Sequence, residues 1–276
     1  MERGKLYICP TPIGNLGDIT LRTLEALREA DLIAAEDTRH TIKLLNHYEI
    51  RKPLTSYHQH NLKEKGRELI EKINKGINIA LVSDAGMPGI SDPGEELIKA
   101  AIDEGIDVVP LPGATASITA LVVSGLSTHR FNFYGFLSPK KGERTRELNE
   151  IKGYKNTTII YEAPHRMLEL LKDMADILGQ RKVSISRELT KRYEETFRGT
   201  AAEAVDKFKE SGFKGEFVIV VEGNLQEDKV EEVDIEKSLR EYIDGGYTKK
   251  EAVKLVSEQY NLPKNQVYKK SLEIGR

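Results

Sequence analysis

The sequence predicts an α/β protein built from two α/β domains with a cleft between them, followed by a small helical tail. The chain has 276 residues, which suits two domains of roughly 100 to 150 residues each. Short runs rich in β-branched residues alternate with amphipathic helical patterns along most of its length. Hydrophobic residues make up 39 % and charged residues 31 %, which is typical of a globular protein rather than a disordered one.

The first predicted domain covers residues 1–114. Its predicted strands are residues 5–9, 32–35, 78–82 and 107–111, and its predicted helices are residues 20–29, 38–48, 63–74 and 93–104. The last helix has the clearest ends. Asp92 suits the N-cap, Pro93 the first helical position, and Glu95 completes a capping-box pattern. Gly105 suits the C-terminal stop, so this helix is predicted within narrow limits.

The second predicted domain covers residues 115–223. A helical segment over residues 115–124 opens it, and the predicted strands are residues 131–136, 157–161, 183–186 and 216–221. Predicted helices over residues 143–151, 166–177 and 201–209 separate these strands. The alternation again favours a layered α/β arrangement.

An acidic stretch over residues 224–235 is predicted to be a solvated linker. Charge runs of this kind are usually exposed. The acidic residues that define it are Glu227, Asp228, Glu231, Glu232 and Asp234.

The tail, residues 236–276, is predicted to be a helix-turn-helix-like unit. Thr248 and Glu251 form a capping box that opens a helix over residues 249–259. Pro263 ends a short turn and starts a second helix that runs to Leu272. A unit this small is expected to depend on contacts with the rest of the chain or with a partner.

Composition favours a cytoplasmic protein. Cys9, the single cysteine, has no internal disulfide partner, which fits a reducing compartment. At the predicted end of the first strand, a lone cysteine is more often a small buried hydrophobe than a nucleophile. The longest apolar runs have strand length and the first residues carry no apolar signal region, so neither a membrane span nor a leader is expected.

The overall charge excludes one class of nucleic-acid binder. There are 42 Lys and Arg against 44 Asp and Glu, a net charge of −2, unlike a histone-like or ribosomal-protein-like chain. A local basic surface remains compatible with this balance, because phosphate binding requires clustered charge rather than net charge.

Segments rich in glycine and proline follow four of the predicted strands. They are residues 10–17, 83–94, 112–117 and 162–166. In open α/β sheets, ligands bind beyond the carboxyl ends of the strands, where glycine allows close approach to the backbone. One such loop is more simply a tight turn, but four together predict a single cleft lined by main-chain groups.

The absence of several common motifs from the sequence narrows the choice of ligand class. The chain has no Gly-x-x-x-x-Gly-Lys-Ser/Thr phosphate loop, and Gly14 and Gly17 lack the dinucleotide glycine spacing. It has no Cys or His cluster with zinc spacing and no Gly-x-Ser-x-Gly elbow, so no metal and no serine-hydrolase chemistry are expected. Such a cleft is compatible with S-adenosylmethionine, which carries adenine, ribose and a zwitterion but no phosphate.

Six segments resemble those of the tetrapyrrole-methylase fold group: residues 10–20, 35–39, 83–94, 112–116, 161–166 and 187–191. The similarity runs from residue 5 to about residue 221. Within the group, Ala-Glu-Asp-Thr-Arg at 35–39 and Tyr-Glu-Ala-Pro-His-Arg at 161–166 look like the enzymes that methylate a cytidine 2′-hydroxyl of 16S rRNA. Met87, His129 and Ser138 depart from that pattern, where threonine, aspartate and proline are expected, and these departures concern the substrate side.

The resemblance implies a homodimeric class III methyltransferase that binds S-adenosylmethionine between its two domains and acts on 16S rRNA of the small ribosomal subunit. Carried over by position, the residues expected to bind the methyl donor are Pro12, Ile13, Asp84, Ala85, Gly86, Met87, Thr115, Ala116, Tyr161, Leu189, Glu216 and Phe217.

A ribose hydroxyl is a poor nucleophile, so a base that removes its proton is expected to contribute about 10²–10⁴-fold. Glu36, Asp37, His58 and Glu188 are candidates, since each lies near a predicted strand end. Asp37 beside Arg39 is the first choice for a catalytic polar pair, with Glu188 as a further candidate. The alternative interpretation of Asp37 is an N-cap for the helix that starts at Thr38.

Six side chains are expected to contact the RNA. They are Arg39, His58, Arg166, Lys191, Lys264 and Lys269. Each alone is more simply a solvated surface group, and the expectation depends on the fold bringing them to one surface.

Two other functions stay open at this point. One is a methyltransferase of the same fold that acts on a tetrapyrrole or on a modified histidine. The other is a non-catalytic RNA-binding or assembly factor that has kept the fold. The helical tail and the Glu-Asp-Thr-Arg segment favour the RNA methyltransferase, while the target nucleotide and the base stay undetermined.

Overall fold

A computed structural model describes residues 2–211, 214–225, 234–260 and 262–274. Contacts between Cα atoms divide the chain into two units, residues 1–224 and residues 225–276. Glu227, Asp228, Glu231 and Glu232 of the predicted acidic linker lie outside the described residues. No helix in the described ranges is both long and apolar enough to cross a membrane.

The first half of unit 1 is a five-stranded parallel sheet. Its strands are β1 (Lys5–Ile8), β2 (Leu32–Ala35), β3 (Leu54–Ser56), β4 (Ile79–Val82) and β5 (Asp107–Pro110), in the order β3-β2-β4-β1-β5. The helices are α1 (Leu21–Glu29), α2 (Thr38–His47), α3 (Leu62–Asn74) and α4 (Gly94–Asp103). Because all strands are parallel, their carboxyl ends meet at one edge, and the loops that leave them converge there.

Both faces of this sheet are covered, which the residues of β4 explain. Ile79 and Leu81 belong to the hydrophobic cluster on one face, and Ala80 and Val82 belong to the cluster on the other. All four are buried, as expected for a central parallel strand with helices on both sides. Cys9, just after β1, is fully buried, and burial raises the pKa of its thiol to about 12, which confirms its prediction as a buried hydrophobe.

The second half of unit 1 is a mixed sheet. Its strands are β6 (Phe131–Phe136), β7 (Thr157–Glu162), β8 (Lys182–Arg187), β9 (Glu195–Thr200) and β10 (Phe217–Val221), in the order β6-β7-β10-β8-β9. Only β6 and β7 are parallel; the other neighbours are antiparallel. The helices are α5 (Ala116–Ser124), α6 (Lys141–Gly153), α7 (Met167–Leu178) and α8 (Ala201–Ser211). Helix α5 covers one face, and α6, α7 and α8 cover the other.

Unit 2 contains three helices within residues 234–260 and 262–274: α9 (Ile235–Asp244), α10 (Lys249–Gln259) and α11 (Lys264–Glu273). The predicted capping box of Thr248 and Glu251 is confirmed. Buried side chains from all three helices, among them Leu239, Val256 and Val267, give the unit a hydrophobic core of its own. Helix α9 was not predicted, because the acidic composition before it suggested a linker.

The predicted start of α4 is wrong in one respect. Asp92 does not cap the helix, and Glu95 forms no capping box; Pro93 occupies the cap position. The Asp92 carboxylate instead accepts N–H bonds from Gly89 (2.6 Å) and Gly94 (2.9 Å). It therefore ties the helix start back to the preceding loop, which the helix-capping pattern alone does not reveal.

Candidate active site

Two loops at the carboxyl edge of the first sheet are fixed side by side. Thr11 and Gly86 exchange two backbone N–H···O bonds of 2.9 Å, and the Thr11 hydroxyl donates to the Ser83 carbonyl at 3.1 Å. Gly86 has a φ of +83°, which favours glycine. The residues around Gly86 therefore present backbone groups in a defined position at the strand ends.

Tyr161, near the end of β7, organises the second half of the site. Its phenol oxygen accepts a hydrogen bond of 3.1 Å from the backbone N–H of Ser117 in the first turn of α5. Phe133 and Phe136 approach the Tyr161 ring edge-on, with centroid separations of 5.1 and 5.6 Å. These contacts hold α5 and the ends of β6 and β7 together.

Gly14 brings the two halves into close contact. A Cβ atom on Gly14 would lie 2.9 Å from the Leu189 carbonyl oxygen and closer still to the Lys191 side chain. The neighbouring Asn15 N–H donates to the Thr190 hydroxyl at 3.1 Å. Only a glycine allows these two loops to approach to this distance.

A cavity of about 410 Å³ lies among these loops, and we call it the first cavity. All four predicted glycine- and proline-rich segments contribute to it, which confirms the predicted cleft. Its lining includes five carboxylates and, among the described residues, no lysine, arginine or histidine. The five are Glu36, Asp84, Asp92, Glu162 and Glu216. This charge favours a cationic ligand and disfavours one that carries phosphates.

Burial controls the ionisation of two of these carboxylates. It raises the pKa of Glu36; a hydrogen bond from the Asp84 N–H opposes the rise, and the charges of Asp84 and Asp92 add to it. Burial also raises the pKa of Glu162, although the Ala163 N–H donates to its Oε1 at 2.8 Å. Both carboxyl groups would therefore be stabilised in their charged form by a cation in the cavity.

A second cavity, of about 490 Å³, adjoins the first. Ile13, Asp84, Ala85 and Glu216 line both cavities and form a shared wall. The remaining lining residues are Thr11, Pro12, Gly14, Leu16, His40, Lys43, Leu44 and Lys191. In contrast to the first cavity, this one has basic side chains.

The residues predicted to bind the methyl donor converge at this place. Eleven of the twelve line the first cavity: Ile13, Asp84, Ala85, Gly86, Met87, Thr115, Ala116, Tyr161, Leu189, Glu216 and Phe217. Pro12 lines the second cavity instead.

The three residues predicted as catalytic do not line either cavity. The Asp37 carboxylate accepts three bonds from Arg39: from its backbone N (2.8 Å), Nε (3.1 Å) and Nη2 (2.7 Å). These bonds lower the pKa of Asp37 to about 2. Asp37 is also the N-cap of α2, so the capping interpretation is confirmed.

Glu188, the third of them, orders the loop between β8 and β9. Its carboxylate accepts bonds of 3.0 Å from Lys191 Nζ and from the Glu216 N–H. Burial opposes ionisation, but these bonds dominate and the pKa of Glu188 is lowered. Glu188 thus positions two residues of the second cavity, Lys191 and Glu216.

The predicted RNA contacts fall in different environments. The Arg39 side chain is 87 % exposed, whereas Arg166 is partly buried and bonded to the Leu137 carbonyl at 2.6 Å. His58 is partly buried, and Lys191 lines the second cavity. Lys264 and Lys269 are exposed on α11 of unit 2.

Several lining residues were absent from the predicted donor site, notably Asp92, Phe136 and Glu162. Phe136 and Glu162 are the last residues of β6 and β7, so the strand-end rule applied to every strand would have found them. His40 and Lys43 carry no comparable signal, since an exposed helical basic residue is usually a solvated one.

The two halves, with a cavity among their strand-end loops, define a two-domain α/β fold of the kind that binds a small ligand beyond its strand ends. The sequence model of the Tetrapyrrole (Corrin/Porphyrin) Methylases matches residues 5–205, and the chain belongs to this family. The chain is therefore a methyltransferase.

Curated relatives cover nearly the whole chain. A protein of Halalkalibacterium halodurans named Ribosomal RNA small subunit methyltransferase I is 52 % identical, over 97 % of this chain and 94 % of its own length. A Bacillus subtilis protein of the same name is 49 % identical with the same coverage. The uroporphyrin-III C-methyltransferase of Thermus thermophilus, solved with S-adenyl homocysteine, shares the fold: its TM-score is 0.56 at 18 % identity, over 79 % of this chain and 97 % of that one.

Proposed function

We propose that this chain transfers the methyl group of S-adenosylmethionine to the 2′-hydroxyl of a cytidine ribose in 16S rRNA of the small ribosomal subunit. The observation that carries the proposal is the acidic first cavity beside a second cavity with basic side chains. The names of the curated relatives support ribosomal RNA of the small subunit as the substrate.

The first cavity fits the methyl donor by charge and by shape. S-adenosylmethionine is a sulfonium cation with an ammonium group. Five carboxylates line this cavity, and no basic residue does so in the part of the chain that the structure describes. Ile13, Leu189 and Val218 supply apolar surface suited to the adenine, and the cavity volume lies within the range of small-molecule sites. Backbone groups of the Gly86 loop are free of side-chain bulk and can contact the donor directly.

Positioning accounts for much of the proposed catalysis. When bound, S-adenosylmethionine supplies an electrophilic methyl group, and the electron pair of the broken C–S bond remains on sulfur. Asp84 and Ala85 belong to the shared wall and line both cavities. A ligand in the second cavity therefore lies next to a ligand in the first. Alignment of this kind contributes about 7–11 kcal/mol in well-oriented reactions.

Glu36 is the carboxylate that we assign as proton acceptor for the ribose hydroxyl. It lines the first cavity, burial raises its pKa, and it has no cationic partner among the described residues. Asp37 and Glu188 are held by Arg39 and Lys191, which makes their carboxylates weaker bases. We assign the Asp37–Arg39 pair to RNA contact and Glu188 to the positioning of Lys191.

A homodimer and a cytoplasmic location complete the proposal. Ile118 and Val122 on α5 expose large apolar side chains, 44 % and 69 % accessible, as expected of a surface that a second copy covers. A cytoplasmic location follows from ribosomal RNA as the substrate. Sedimentation equilibrium of the wild type and of Val122→Asp tests the dimer; a monomeric wild type contradicts it.

Transfer of a labelled methyl group tests the function. We expect label from S-adenosylmethionine in 16S rRNA of 30S particles, at a cytidine whose 3′ linkage resists alkali, and none in a tetrapyrrole acceptor. Label only in the tetrapyrrole would overturn the RNA substrate. Calorimetry that detects no S-adenosylmethionine binding would instead make the chain a non-catalytic RNA-binding factor.

A further inference from the structure

All the ionisable side chains of helix α2 are basic. No aspartate or glutamate occurs between Thr38 and His47, whereas Arg39, His40, Lys43 and His47 all do. His40 and Lys43 are three residues apart, so their side chains lie on the same face of the helix. Both are exposed, and both line the second cavity.

These two side chains are available to a ligand. Among the residues that the structure describes, the side chains of His40 and Lys43 form no hydrogen bond or ion pair. Lys191, across the same cavity, is instead held by Glu188 and Glu216, with each N···O distance 3.0 Å. Among the residues with a described position, the cavity thus combines one fixed cation with two basic side chains that have no partner.

The helix N-terminus itself is not the anion site. The Asp37 carboxylate already accepts the Arg39 N–H and places a negative charge at the start of α2. An anion in the second cavity would therefore be bound by side chains rather than by the backbone and dipole of the helix.

The charges of the two adjoining cavities are opposite in kind. Within the described ranges, five carboxylates and no basic residue line the first cavity. His40, Lys43 and Lys191 line the second, together with Asp84 and Glu216. The residues of the shared wall line both a cavity suited to a cation and a cavity suited to an anion. A phosphodiester, whose ribose hydroxyl is near its phosphate, matches this arrangement.

We propose that the second cavity binds the acceptor nucleotide, and that His40 and Lys43 hold a phosphate that flanks its ribose. Lys43 supplies a compact positive charge and His40 an N–H donor to the phosphate oxygens. Contacts of this type set the register of the RNA, so they place the hydroxyl at the shared wall. This assignment rests on the proposed function and adds the site where the RNA backbone is held.

The experiment compares Lys43→Gln and His40→Gln with wild type and with a matched control, Lys75→Gln. Lys75 is exposed at the amino end of β4, at the edge of the sheet opposite the cavities. The assay is methyl transfer to 30S particles, with binding of S-adenosylmethionine measured by calorimetry. Cytidine 3′,5′-bisphosphate is the small probe, titrated directly and as a competitor of the particles.

We expect Lys43→Gln to raise KM for 30S particles and Kd for the bisphosphate by roughly tenfold, as for the loss of one charged hydrogen bond. His40→Gln should act in the same direction, and the affinity for S-adenosylmethionine should not change. The slope of log KM against log salt should also fall by about one phosphate contact. Lys75→Gln should match wild type in each measurement.

Three outcomes separate this inference from the proposed function. If wild type methylates 30S particles and both variants match it in KM and salt slope, the phosphate site is wrong and the function stands. If the variants lose S-adenosylmethionine affinity equally, the second cavity belongs to the donor and the inference fails. If wild type transfers no methyl group to 30S particles, binding of the bisphosphate tests the anion site by itself. Weaker bisphosphate binding in Lys43→Gln supports the anion site, and unchanged binding overturns it.

Discussion

Glu36 and Asp37 are adjacent in the chain, and their pKa values are shifted in opposite directions. Burial and neighbouring carboxylates raise the pKa of Glu36, whereas three bonds from Arg39 lower the pKa of Asp37 to about 2. A pair of carboxyl groups with pKa values moved apart is a common sign of separate acid–base roles. Here the two shifts favour Glu36 for proton transfer, whereas the Asp37 carboxylate caps α2 and holds Arg39.

The assignment of Glu36 predicts the pH dependence of the reaction. The base must be ionised, so kcat/KM should fall as pH decreases through the pKa of Glu36 in the free enzyme, above its ordinary 4.5. The acid limb of kcat should lie at lower pH, because a bound cation stabilises the ionised carboxylate. Glu36→Gln should lower kcat by about 10²–10⁴-fold. Stopped assays between pH 4.5 and 8 measure the acid limb of kcat/KM and the acid limb of kcat.

A matched substitution on the protein surface serves as the control for that prediction. Glu64, exposed on α3 and outside both cavities, gives the same change of charge in Glu64→Gln and should leave both limbs in place. An unchanged kcat in Glu36→Gln would remove Glu36 as the base and return the role to the other carboxylates of the first cavity.

Glu36→Gln, which is expected to lower activity, should increase the thermal stability of the protein at neutral pH. Because burial raises the pKa of Glu36 in the folded state, its contribution to stability is present at low pH and is lost as pH rises through that pKa. Glu36→Gln should therefore unfold at a higher temperature than wild type at pH 7.5, and the gap should shrink toward pH 4.5. Thermal denaturation of the free protein at both pH values measures it; a gap independent of pH contradicts the assignment.

The loops around the site depend on a close approach at Gly14. Gly14→Ala places a methyl group 2.9 Å from the Leu189 carbonyl, so the two loops must separate. We expect a loss of about 1–3 kcal/mol in the free energy of unfolding, and weaker S-adenosylmethionine binding because Ile13 and Leu189 both line the first cavity. Urea denaturation and calorimetry measure these effects.

Gly142→Ala is the control for that substitution. A Cβ atom there meets nothing within 4 Å, and the residue lies in the first turn of α6, away from both cavities. It should be neutral or slightly stabilising. Equal effects of the two alanine variants would show that the approach at Gly14 does not support the site.

Local signals were sufficient to predict most helices and strands of the described residues. Strand β2 lies at its predicted bounds, and α10 begins at its predicted capping box. Helix α9 and strands β3 and β9 were not predicted. Helix α9 has an N-cap at Asp234 and apolar residues at helical spacing, but its acidic surroundings suggested a linker. Strand β3 has only three residues, too few for a periodic pattern to show.

Contacts between distant parts of the chain could not be predicted from residue patterns. The bond between Asn15 and Thr190 joins residues 175 positions apart, and no local pattern pairs them. Most of the residues predicted to bind the methyl donor nevertheless line one cavity, because the resemblance to a family carried information about distant parts of the chain. The basic residues His40 and Lys43 lay outside the family motifs, and only the fold placed them in a cavity.

Unit 2 is expected to strengthen RNA binding by the whole protein. In the full chain, replacing both Lys264 and Lys269 with glutamate should weaken binding to 30S particles and reduce its salt dependence, since both are exposed on α11. S-adenosylmethionine affinity should stay at the wild-type value. The control carries the same charge change at exposed Lys237 and Lys250. Filter binding over a range of salt concentrations measures the difference, and equal loss in both variants contradicts a specific role for α11.

The burial of Cys9 makes the protein convenient for site-specific labelling. It is the single thiol of the chain, fully buried, with a pKa of about 12, so it should not react with maleimides at neutral pH. A cysteine introduced at exposed Lys75 or at exposed Tyr268 would then be the sole site of attachment for a fluorophore or spin label. Pairs of such labels would report distances between the two units as RNA binds, without prior removal of a native cysteine.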